Sequence, residues 1–373
     1  VGNLPFGFQP PSGDDAGGEG GSGGTGPGGG GPVDPLGFLG GANPQDLGAA
    51  LHQFADLLSW SGGPVNWDLA LDVAGKAAHE GDPTVTAADA AAVTEAVRLA
   101  ELWLDPVTTL PAGVRSVHAW TRSEWVHATL PVWSQLCDPI ASRVVDAMGE
   151  ALLGQAPPEL AAMTGQMMGV MRQLGGALFG TQVGQAIGTL AGDVLTSTEI
   201  GLPLGPEGQA ALLPGNVSAF GRDLSVPPDE LRLYLALYEA AHHRLFSHVG
   251  WLRAHLLGAV EAYARGITID LSALESAVAS IDPTQPDALQ NALAGGLFEP
   301  QDTTAQQAAL GRLETALALV VGWVDEVVDA AASAHLPQAP ALRETMRRRR
   351  ATGGPAEQTF ATLVGLELRP RRL

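Results

Sequence analysis

Between residues 175 and 192 the chain reads GGALFGTQVGQAIGTLAG, placing Gly176, Gly180, Gly184, Gly188 and Gly192 four positions apart. A four-residue step drifts by only about 40° around an α-helix, so the glycines leave one bare groove along its length. With no β-carbons on that face, a second helix can approach to backbone contact. The segment therefore predicts a close helix pair and points to a bundle. No charge occurs from Gln173 to Gly192, which also admits a membrane helix. Thr181, Gln182, Gln185 and Thr189 inside the run, with Arg172 and Asp193 closing it, favour a buried helix and no membrane partner.

Elsewhere, apolar residues at helical spacing, bounded by Pro, Gly or Asp clusters, predict helices at 67–80, 86–104, 121–153, 158–195, 228–246, 248–265, 271–280 and 303–334. An earlier one, capped by Asn43 or Asp46, carries Leu47, Leu51, Phe54 and Leu58 on one face. Strand-like runs are few and short, the best being TEIGLPL (198–204) and AALLPGN (210–216). The expected fold class is mainly α, one large helical domain with a few short strands. Its limits are set at 43–340. Residues 1–42, dominated by Gly, Pro, Ser and acids, carry too little apolar surface to order and are expected to form a disordered leader. Residues 341–373 are a basic C-terminal segment, expected to dock on the domain.

The formal charge of −20 surrounds the molecule with an acidic field that repels phosphate backbones and anionic lipid headgroups, so no nucleic acid partner is expected. The C-terminal RETMRRRR and RPRRL reverse that sign locally, and pairing with the acidic body is the simplest use for them. Cys137 is the single cysteine, which excludes an internal disulfide and a zinc site of paired thiolates. A reducing cytoplasm fits this, and the first residues lack the basic start and apolar core of a secretory signal.

The stretch that could carry chemistry is LYEAAHHRLFSHVGWL, residues 237–252. A zinc-peptidase helix of the HExxH kind sets two His ligands at i and i+4, with the Glu beside the first polarising the zinc-bound water. This register reads Tyr238, Glu239, Ala240, Ala241, His242: a degenerate HExxH that keeps the base and second ligand and lacks the first imidazole. A phenol with its ordinary pKa near 10 is a poor substitute for that imidazole. His248 follows His242 by six residues, the interval of a metzincin third ligand, although Leu245 stands where that motif turns on glycine. His243 points about 100° away from His242. Against a metal site stands an ordinary packed helix, with His248, Trp251, Leu252 and His255 as its buried stripe.

YEAAHHRLFSHVGWLRAHL, with WTRSEWVHATLPVWSQLCDPIA upstream and GGPAEQTFATLVGLELRPRRL at the end, resembles the zincin-like metallopeptidase type 2 family. That is a largely actinobacterial group of hydrolases and zinc-dependent metalloproteases, one branch of which is named for deazaflavin coenzyme biosynthesis. The resemblance runs from about residue 44 onward. It implies a zincin-like motif helix, zinc as cofactor, a peptide or protein substrate, Glu239 as catalytic base and His242 as a zinc ligand. His248 or His243 would add to the shell, with Glu261 and Glu275 as nearest acidic candidates. It assigns Tyr238 nothing. Two function classes follow: a zinc metallopeptidase, or a noncatalytic binding or regulatory protein on the same scaffold. The upstream Trp120, Arg122, Glu124, Trp125, His127 and Trp133 are read as core packing before cleft wall, and Cys137 as a buried inert thiol.

Overall fold

A computed structural model describes residues 60, 63–154, 161–265 and 303–351. Their order is α1 (Trp67–His79), α2 (Ala87–Leu104), β1 (Ser116–Ala119), α3 (Arg122–Gly154), α4 (Ala161–Asp193), β2 (Gln209–Leu212), α5 (Pro214–Gly221), α6 (Pro228–His248), α7 (Leu252–Arg265), α8 (Thr304–Ala332) and α9 (Ala339–Ala351). The fold is mainly α. Local chemistry sets several helix starts: Asn66 accepts from Leu69 N at 3.0 Å, and Thr86 with Asp89 and Thr303 with Gln306 form capping boxes. The leader, the helix expected near 47–58 and the one at 271–280 lie outside the described residues.

The glycine groove of α4 receives α1. A β-carbon on Gly180 would stand 2.5 Å from the Asn66 carbonyl oxygen, one on Gly184 2.5 Å from that of Ala70, and one on Gly188 2.6 Å from the Ala77 β-carbon. On α1, Ala70, Ala74 and Ala78 are buried. Small residues on both helices thus allow backbone contact. Among the described residues, no helix is long and apolar enough to cross a membrane.

The strand expectations need correction. TEIGLPL forms no strand: Gly201 turns the chain at φ +71° with its N–H on the Thr198 carbonyl, and only Thr196 makes an isolated bridge, to Leu212. AALLPGN is a strand only to Leu212, because Pro214 opens α5, where a missing N–H costs no helix bond. The partner of β2 is the unanticipated β1, parallel to it with Ser116 opposite Gln209. Nor do His248, Trp251, Leu252 and His255 form one stripe. Helix α6 ends at His248 and α7 starts at Leu252, leaving Trp251 63% exposed while Leu252 is buried.

Helix α6 sits in the middle, and every residue from Tyr234 to Leu245 is buried. A helix buried on all sides must partner each polar group it carries. It carries Tyr238, Glu239, His242, His243 and Arg244.

Candidate functional site

Arg244, 1% exposed, ties α6 to α2. Its Nε donates to Glu101 Oε2 at 2.6 Å, and its terminal nitrogens donate to the Asp105 carboxylate and to the Glu101 carbonyl at 2.7 Å each and to the Leu110 carbonyl at 2.9 Å. Gly113 lies so close beneath that a β-carbon would meet the His243 carbonyl oxygen at 2.3 Å. The motif helix is thereby clamped against α2 and the loop leading to β1.

Glu239 is 0% exposed and accepts four hydrogen bonds. Ser197 and Thr198 donate their hydroxyls, the latter at 2.6 Å; the Ala211 backbone of β2 donates at 3.0 Å; and His243 Nε2 donates at 3.2 Å. Burial alone would raise its pKa, but the His243 interaction and the Ser197 and Thr198 hydroxyls outweigh it and hold the carboxyl at about 2. Both oxygens are committed, so the carboxylate fastens the 196–198 segment and β2 onto α6.

His242 is 5% exposed, with Nδ1 donating to the Tyr238 carbonyl at 2.8 Å. Burial pushes its pKa down to about 4, so the ring is neutral near pH 7. Its Nε2 is buried without a partner among the described residues. The ring lines a cavity of about 20 Å³, room for about one water, together with Glu199, Tyr238, Arg349 and Arg350. Here α9 closes the structure. Arg349 donates to Glu199 Oε1 at 2.8 Å and to the Asp193 carbonyl at 2.7 Å, and Arg350 spans both oxygens of Asp325 at 2.8 and 2.9 Å. Tyr238 donates to Asp325 beneath the Arg350 guanidinium, which lies 5.7 Å from its ring centre. Burial, with Tyr234 and Asp325 beside it, pushes the Tyr238 hydroxyl well above the ordinary phenol range, so the phenolate is disfavoured.

The three histidines do not converge. His243 turns to Glu239 and a second cavity; His248 is exposed, about 120° around the helix from His242, with its Nε2 3.4 Å from the Ala112 carbonyl. Glu261 pairs with Arg265 on an exposed face, and Glu275 lies outside the described residues. A zinc ion needs about four lone pairs in tetrahedral array. His242 Nε2 could supply one, but the Tyr238 hydroxyl, Glu239 and His243 are engaged with one another's surroundings. Among the described residues, no three His, Cys, Asp or Glu converge to hold a metal. The donor set that the described residues present there does not fit zinc.

The upstream motif packs. Trp125, Trp133 and Cys137 are 0% exposed, Arg122 donates to Asn216 at 2.8 Å, and Glu124 accepts from Thr121 N at 2.7 Å. The sequence reading missed Ser197, Thr198, Glu199 and Asp325. The signal available was small: adjacent hydroxyls before an acid in TSTEI, and the first of two adjacent acids, Asp325 and Glu326, that follow the apolar run ALALVVGWV of α8.

Residues 65–373 match the sequence pattern of the zincin-like metallopeptidases. Among solved structures the chain is similar to a presumed hydrolase with a novel fold from Chloroflexus aurantiacus, at 20% identity and a TM-score of 0.55, over 82% of this chain and 83% of that one. At that identity the likeness is one of fold. No curated protein sequence matches the chain.

Proposed function

The chain belongs to the zincin-like metallopeptidase family, and we propose that it keeps that scaffold as a noncatalytic binding or regulatory protein. The observation that carries the reading is Glu239. A general base must reach a water and take its proton, with a pKa near the working pH. This carboxylate meets no solvent, accepts four bonds and is held at about 2. It supports a structural anchor better than a base. The phenol at position 238 and the arginines of α9 over the His242 cavity support the same reading.

One observation favours a second reading, a metallohydrolase acting on peptide or protein with zinc: the buried, unpartnered His242 Nε2, in the tautomer a metal would use. Tyr238→His separates the two. The noncatalytic reading expects the variant to hold no stoichiometric zinc after dialysis and to cleave no unfolded protein substrate. Tight zinc with cleavage abolished by Glu239→Gln would sink it. A cytoplasmic setting accords with Cys137, a buried thiol pushed up to about 12 by its burial.

A further inference from the structure

The second cavity measures about 170 Å³ and shares no lining residue with the first. Arg253, Pro203, Phe246, Ser247 and His243 line it. Arg253 stands on the first turn of α7, with NH1 donating to the Pro203 carbonyl at 3.1 Å. It has no ion-pair partner among the described residues. Glu207, the nearest acid of the cavity, is engaged by Arg115 at 3.2 Å. Arg253 is half-buried, and its pKa is lowered by that burial, which Glu207 only partly offsets. A guanidinium in this state lacks an anion. His243, 5% exposed, spends Nε2 on Glu239, and its Nδ1 has no hydrogen bond to a described residue. A ligand hydroxyl can pair with that Nδ1 in either state of the ring, donating to its lone pair or accepting from its N–H. The walls between these groups are the Phe246 ring and Pro203.

We propose that this cavity binds a small hydroxycarboxylate, the carboxylate seated on Arg253 and the hydroxyl facing His243 Nδ1. The planar guanidinium fork matches a carboxylate's two oxygens. A cavity of about 150 Å³ is enough for benzene, so the 170 Å³ here suits a body of ring or branched-chain size. The site uses neither Tyr238 nor His242; it meets the motif helix through His243, whose Nε2 stays on Glu239.

Mandelate is the probe: a ring-sized body with a carboxylate and a hydroxyl. Calorimetry of the full chain should give one saturable site. Mandelamide, which lacks the charge, and benzoate, which lacks the hydroxyl, should each bind roughly tenfold more weakly, because each leaves a cavity group unpaired. Arg253→Gln gives up the Pro203 hydrogen bond and the attraction of Glu207, and should keep its fold and lose roughly tenfold or more in affinity. A long-range ¹H–¹⁵N spectrum of the unsubstituted protein reads the other contact, and the His243 Nδ1 resonance should move on saturation. Three results would overturn the proposal: no saturable mandelate binding, affinity unchanged in Arg253→Gln, or mandelate no tighter than benzoate with the His243 ring unmoved. Loss of this site would leave the reading of Glu239 intact, since zinc and peptidase assays probe that separately.

Discussion

Replacing Glu239 separates an anchor from a catalytic base, because the two roles predict opposite effects on stability. Glu239→Ala removes an acceptor shared by the Ala211 N–H, the Ser197 and Thr198 hydroxyls and His243. Each buried donor left unpaired costs about 1–3 kcal/mol. The Ala211 N–H sits in a residue that is 0% exposed and counts in full, whereas hydroxyls and an imidazole can turn to other partners and count in part. The expected cost is about 3–5 kcal/mol, the size found when one partner is stripped from a buried ion pair. That is a large share of a typical stability of about 5–15 kcal/mol. Glu239→Gln keeps the shape and one acceptor and should cost about 1–3 kcal/mol. Guanidinium unfolding followed by tryptophan fluorescence measures both, with Trp125 and Trp133 as buried reporters. The pH dependence has a fixed sign. A carboxyl at about 2 in the fold against 4.5 in the unfolded chain stabilises fully above 4.5, and that contribution fades as pH falls toward 2. The gap between wild type and Glu239→Gln should narrow across that window. Midpoints for both variants equal to wild type at neutral pH would refute the anchor.

Two further outcomes follow from the packing and the imidazole. Gly184→Ala should lower the melting temperature, because its β-carbon falls 2.5 Å from the Ala70 carbonyl oxygen and overpacking costs about 1–3 kcal/mol. Gly192→Ala meets nothing within 4 Å among the described residues and should be neutral or stabilising by up to about 1 kcal/mol; equal losses at both positions would mean that the groove does not set the helix pair. His242, with its pKa lowered to about 4 by burial and its proton on Nδ1, should show an unprotonated Nε2 resonance that stays constant from pH 8 to 5. A midpoint near 6.5 would contradict its burial.

Helices were legible where sequence alone determines them. The four-residue glycine period announced a close helix partner for α4, which proves to be α1, and apolar spacing bounded by Pro, Gly or Asp marked the helices. The helices expected at 67–80, 86–104, 121–153, 158–195, 228–246 and 303–334 are present; the one at 248–265 begins instead at Leu252. Strand β1 was hidden because SVHA is four residues long and its pairing is with residues about ninety positions away. The motif helix was found by its register. Its use was not, since nothing in YEAAHH says that Glu239 meets Ser197 and Thr198, or that Tyr238 meets an aspartate of α8 and an arginine of α9. These are contacts across 41 to 112 positions of the chain, fixed by tertiary packing. The α9 arginines were expected to pair with the acidic body; that two of them close the His242 cavity came only from the fold.

The central claim, that this motif helix holds the core together and does not hold a metal, is tested most directly by metal content. Elemental mass spectrometry would be run on tag-free protein after incubation with excess zinc and dialysis, beside His242→Ala. The account predicts far less than one zinc per chain in both, with no difference between them. About one zinc per chain in the unsubstituted protein, lost in His242→Ala, would contradict it.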